Sequence, residues 1–195
     1  MYEVIGTRAS RALRVLWMLE EMGVPYTHTP CGPRSDAAMA ANPSGKIPAM
    51  WVDGTAIFDS VAIMTFLGDK HAMFTHPAGT VARAQQDALT LQILDDVDAI
   101  LWATARHTFV LPEEHRIAAI KEPMKWEYGR NIARLSDAMQ GPFLMGEDMT
   151  IPDMLLAHCL RWAEVAKFPE PDEKLAAFKA RMEAREAFQR AVALP

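Results

Sequence analysis

The chain has 195 residues, a length that admits one large domain or two small ones, and half of them are hydrophobic, ample for a core. A formal net charge of −5 gives no electrostatic reason to bind nucleic acid or an anionic membrane surface. Charges interrupt every apolar run before it reaches membrane-spanning length, and the opening Met1–Ile5 does not read as a signal peptide. Cys31 and Cys159 make no disulfide framework, and there is no Cys-x-x-Cys pair for thioredoxin-type exchange. A reducing, cytoplasmic setting is the default.

Tyr2–Gly6 is a short apolar-rich run and predicts a strand. Arg11–Met22 carries Leu13, Leu16, Trp17 and Leu19 at helical spacing and stops at Gly23. Pro25–Thr29 reads as a second strand, parallel to the first because a helix crosses over between them. Ser35–Ala41 predicts a short helix. Ala49–Val52 and Thr55–Phe58 flank Asp53-Gly54, the strongest short hairpin signal. Ser60–Leu67 predicts another short helix. This order implies a mixed sheet with helices on its faces.

From His71 the character changes. The segment to Gly79 is polar, contains Pro77 and reads as a linker. Thr80–His107 has Val81, Ala84, Leu91, Leu94, Val97 and Leu101 along one face of a long helix. Glu113–Gln140 predicts a second long helix, kinked or divided by Pro123. Ile151–Ala166 is apolar nearly all round, as in a helix at the centre of a bundle. Thr150 and Asp153 have the spacing of a capping box, with Pro152 in the first turn. Lys174–Ala193 supplies one or two more helices. Two parts follow: an α/β domain over residues 1–72 and an all-helical domain over residues 80–195.

Three places offer chemistry. Pro48 heads an apolar strand, where a trans proline would remove a ladder hydrogen bond. Held cis, it would present the backbone of Ile47 outward. Asp59 and Ser60 stand at a helix start, where backbone N–H groups and the helix dipole favour an anion, or where they serve as a plain cap. Ser10 lies in the turn before the first helix and is either its N-cap or a donor to an anion held there. His158 and Cys159 read as core, and Asp95, Asp96 and Asp98 as solvated or cleft-facing surface. No metal site is expected.

Pro43-Ser44-Gly45-Lys46-Ile47-Pro48 followed by Asp59-Ser60-Val61-Ala62-Ile63 resembles the glutathione-binding half of the cytosolic glutathione transferases, of the bacterial type with a serine-like active site. Ser10–Glu21 resembles the family's first turn and helix, and Thr150–Asp153 its capping segment. The resemblance implies a thioredoxin-like domain followed by a helical bundle. It also implies that glutathione, bound as co-substrate with no other cofactor, attacks a small hydrophobic electrophile in the interdomain cleft, a detoxification chemistry. Asp59 would take the γ-glutamyl amine and Ser60 its α-carboxylate. Ile47, beside Pro48, would pair with the cysteinyl backbone in the manner of strand addition, and Lys46 would meet the glycyl carboxylate. Ser10 would hold the thiolate, with Thr7 the second candidate. Lowering a thiol pKa from about 8.5 by about two units needs roughly 2.7 kcal/mol, within reach of one hydroxyl plus the helix terminus. Trp102, Arg106 and His107 would help line the second-substrate pocket. A homodimer is implied, without nucleic acid or membrane. The rivals are a non-catalytic ligand- or protein-binding module, and a glutathione-dependent isomerase or peroxidase.

Overall fold

A computed structural model describes residues 1–195. Four short strands, β1 (Tyr2–Ile5), β2 (Tyr26–Thr29), β3 (Ala49–Val52) and β4 (Thr55–Phe58), form one sheet in the order β2-β1-β3-β4. β1 and β2 run parallel, while β3 is antiparallel to both β1 and β4. The β3–β4 turn has φ 48° at Asp53 and 88° at Gly54, the pair of positive values that a two-residue hairpin of this hand requires.

Helix α1 (Ala12–Met22) makes the crossover between β1 and β2 and ends at Gly23, whose left-handed φ of 63° closes the last turn. α2 (Asp36–Ala41) is capped by the Ser35 hydroxyl, which accepts from Ala38 N–H at 3.3 Å. α3 (Ser60–His71) runs one turn beyond the Leu67 expected from sequence. Its last residues are polar but still form intrahelical bonds.

The second part contains α4 (Val81–Ile93), α5 (Ala99–Ala105), α6 (Lys121–Ala138), α7 (Ile151–Val165) and α8 (Glu173–Glu183), and the chain ends in α9 (Glu186–Ala193). The long helix expected over 80–107 is a continuous helical run to Val110, interrupted by two π turns at Leu94–Asp98 and Arg106–Val110. The helix expected over 113–140 begins later. Two 3-10 turns precede α6, and Pro123 sits in its first turn, where its missing N–H needs no partner, so it neither kinks nor divides the helix. Every residue from Ile151 to Leu160 is buried, as expected of the central helix α7. No helix is long and apolar enough to cross a membrane.

Two compact units result. One comprises Met1–Pro77 with Glu183–Pro195, the other Ala78–Met182. The C-terminal segment joins the first unit because α9 packs on α1. Phe188 meets Trp17 edge-on at 4.9 Å between ring centroids. Arg185 donates to both Glu21 oxygens at 2.5 and 2.8 Å, and Arg190 Nε donates to Glu20 at 2.7 Å. α1 is consequently buried at every position from Ala12 to Leu19, not only along one stripe.

Candidate functional site

The sheet register gathers the expected ligand groups. Ile5 lies opposite Ala49, and Ala49 opposite Phe58. The turn after β1, the Ile47–Pro48 segment before β3 and the Asp59–Ser60 segment after β4 therefore leave the sheet at one end. Gly6 shows how closely they approach: its φ is +136°, and a Cβ there would meet Ile47 Cβ at 3.0 Å and Ala12 Cβ at 3.2 Å. Only glycine fits that backbone and that gap.

The loop before β3 is braced from within. The Asn42 side chain is buried. Its Nδ2 donates to Lys46 O at 3.0 Å, and its Oδ1 accepts from the Ser44 N–H and hydroxyl at 3.1 and 2.9 Å. The Ile47–Pro48 peptide is cis. Neither the N–H nor the carbonyl of half-buried Ile47 has a partner in the chain, so both are available for a further extended segment. Lys46 is exposed, and its ammonium is unpaired.

At the start of α3, Asp59 adopts φ 74° and ψ 126°, a region that non-glycine residues rarely enter. Its Oδ1 accepts from Val61 and Ala62 N–H at 2.8 and 3.3 Å, which leaves Oδ2 of this exposed residue without a partner in the chain. The cap covers the second and third N–H groups of the helix and omits the first, that of Ser60. Ser60 itself is 2 % exposed, and its Oγ accepts from Arg14 Nη1 at 3.3 Å while its proton has no acceptor. Two donors and one carboxylate oxygen thus stand uncommitted at a helix N-terminus, the complement of a zwitterionic amino-acid head.

The two hydroxyls in the turn before α1 are not equivalent. Ser10 Oγ donates to Thr7 O at 2.7 Å and accepts from Ala12 N–H at 3.1 Å, so it closes the turn and caps the helix. Thr7 Oγ1 accepts from Ala9 N–H at 3.3 Å, and its proton has no acceptor. His28 Nε2 donates to Gly6 O at 2.8 Å and steadies the backbone just before Thr7. Sequence reasoning passed over both Arg14 and His28. Arg14 carried a signal, as the one charge within the apolar run Ala12–Leu19; His28 carried none, because its partner is 22 residues away.

In the second unit, Trp102 lies on α5, with Arg106 and His107 following in the second π turn. His107 Nδ1 accepts from Ile117 N–H at 3.1 Å, so this ring closes the 107–117 loop. Cys159 is buried, as expected, and its thiol points at Asp98 Oδ2 at 3.8 Å. Asp98 is buried as well, contrary to the surface role expected of it: it ends the first π turn and meets Cys159 of α7.

Comparison with known proteins agrees with this geometry. Residues 10–70 match the family described as glutathione S-transferase, N-terminal domain. This part of the chain is a glutathione S-transferase N-terminal domain. The whole chain has the glutathione transferase fold, a thioredoxin-like α/β part followed by helices. A glutathione transferase from Methylococcus capsulatus str. Bath superimposes with a TM-score of 0.83 at 21% identity, over 99% of this chain and 98% of that one. The theta class glutathione S-transferase of Xanthomonas axonopodis pv. citri, with glutathione bound, gives 0.80 at 25% identity, over 100% and 98%. Ure2p in complex with glutathione gives 0.81 at 17% identity, over 99% and 93%. A comparison of the sequence with curated proteins finds no match.

Proposed function

We propose that this protein binds glutathione at the sheet end described above and activates its thiol for attack on a small hydrophobic electrophile. The observation that carries the reading is the set of polar groups with no partner in the chain. Ile47 offers one donor and one acceptor, Ser60 offers two donors, and Asp59 offers one carboxylate oxygen. Buried polar groups are rarely left unpaired, so the uncommitted donors of buried Ser60, with the open groups of half-buried Ile47 and exposed Asp59 on adjoining segments, support a ligand there. Glutathione matches them in order: its ammonium to Asp59, its α-carboxylate to Ser60, its cysteinyl peptide to Ile47, and its glycyl carboxylate to Lys46. Glutathione is also the ligand of two structurally similar proteins.

The thiol then lies toward the turn before α1. Of the two candidate hydroxyls, Thr7 is favoured, since the Ser10 proton is already donated to Thr7 O. A hydrogen bond to a thiolate is worth about 1.5–3 kcal/mol, and the α1 terminus adds about 0.3–1 kcal/mol. In the reaction the thiol proton leaves to solvent, the sulfur lone pair forms the new S–C bond, and the leaving group departs with its electron pair. Trp102 and Arg106 are assigned to the electrophile, with His107 shaping the loop beside them. A cytoplasmic homodimer belongs to the same reading. The non-catalytic alternative keeps the binding groups and dispenses with thiol activation.

Calorimetric titration with glutathione tests the binding. Ultraviolet titration of the bound thiol tests the activation. A thiol pKa below that of free glutathione is the expected result. Binding without that shift leaves the non-catalytic module standing, and no binding overturns both readings.

A further inference from the structure

We infer that Arg14 is a positioning residue for ligand carboxylate recognition, acting through Ser60. The inference rests on the glutathione reading and assigns a role to a residue outside the ligand-contacting set. Arg14 is 1 % exposed, a rare state for an arginine, and it lies on α1, whereas Ser60 begins α3. Arg14 Nη1 reaches Ser60 Oγ at 3.3 Å, and Ser60 is itself 2 % exposed.

The chemistry of the pair is one-directional. A guanidinium has five N–H donors and no acceptor. It can therefore only donate to Ser60, and it takes up hydroxyl lone-pair capacity. The Ser60 proton is turned away from Arg14 and has no other acceptor in the chain. A neutral partner such as asparagine or serine would let the hydroxyl rotate and use its proton internally. Arginine forbids that. Donation from a cation also polarises the O–H bond, which strengthens it as a donor to the next group. That next group is the α-carboxylate, which also meets the Ser60 N–H left uncovered by the Asp59 cap. Arg14 so prepares the hydroxyl before ligand arrives, and the ligand need not reorganise it.

A plain structural staple between α1 and α3 makes a different prediction, and a second ligand separates the two. The probe is 4-aminobutyryl-cysteinyl-glycine, which is glutathione without its α-carboxylate. Calorimetric titrations of the full chain would compare both ligands on wild type, Arg14→Met, Ser60→Ala and the double variant, with thermal melts as the folding control. Arg14→Met should weaken glutathione about tenfold, a loss within the range for one charge-assisted hydrogen bond. It should leave the probe within about twofold, and add less than about twofold to Ser60→Ala, because coupled residues are not additive. Should Arg14→Met not fold, Arg14→Gln replaces it in the same two-ligand comparison. Equal weakening of both ligands, or none of either, overturns the role of Arg14 while leaving glutathione binding intact. A wild-type chain that binds neither ligand overturns the glutathione reading and this inference together.

Discussion

The starts of α3 and α7 use the same local chemistry to opposite ends. Each places a carboxylate and a hydroxyl at a helix N-terminus, and each reads as a cap in the sequence. At α7 everything is closed. Asp153 is 0 % exposed, its Oδ1 accepts from Leu144 N–H at 2.8 Å, and its Oδ2 accepts from the N–H and hydroxyl of Thr150, both at 2.8 Å. Burial pushes the Asp153 carboxyl above its usual range, against the pull of those three bonds. At α3 the accounting is left open: Asp59 is exposed and keeps one oxygen unused, and Ser60 keeps two donors. A helix start keeps groups for a ligand only when its valences are not exhausted from within.

The first way to break this comparison is to remove the closed cap. Asp153→Ala leaves three buried donors without an acceptor and should cost about 3–5 kcal/mol of stability, read by chemical denaturation. The folded fraction should bind glutathione as before. A loss below about 1 kcal/mol would erase the distinction between the two caps.

The second contrast lies within one turn, between a committed hydroxyl and an uncommitted one. Thr7→Val should raise the pKa of the bound thiol by about one to two units, at about 1.36 kcal/mol per unit, and turnover near neutral pH should fall with the lost thiolate. Ser10→Ala should leave that titration nearly unmoved and instead lower stability by about 1 kcal/mol, as loss of a cap does. The reverse pattern in the ultraviolet titration returns the activating role to Ser10.

The smallest effect is the sharpest test of the open cap. Asp59→Asn keeps an oxygen for Val61 and Ala62 N–H, and asparagine tolerates the positive φ. Stability should therefore stay within about 0.5 kcal/mol. Glutathione affinity should fall about fivefold to tenfold as a charge-assisted bond becomes a neutral one. Unchanged affinity by calorimetry would make Asp59 a cap and nothing more.

What could be read from the sequence was local. Asp53-Gly54, Gly23 and the Thr150–Asp153 spacing each act within a few residues, and each appears where expected. The order of strands and helices followed, and with it the mixed sheet. Pro123 was misplaced because a proline carries the same preference for a first turn as for a break, and only the helix start decides between them. The π turns escaped notice because one extra residue in a turn barely disturbs an apolar pattern of this length.

The candidate site divides along the same line. Which residue types gather at the candidate site was set by the chain itself, through Lys46–Pro48 and Asp59–Ser60 on either side of a hairpin. Which of their atoms remain available was not. Ser10 and Thr7 are chemically similar, and only the folded turn directs the Ser10 proton to Thr7 O. Arg14 meets Ser60 across 46 residues, and Arg185 meets Glu21 across 164. Short-range propensity acts on neighbours in sequence, so it determines the elements. Hydrogen-bond valence is consumed by neighbours in space, so only the tertiary structure decides which groups a ligand can still find.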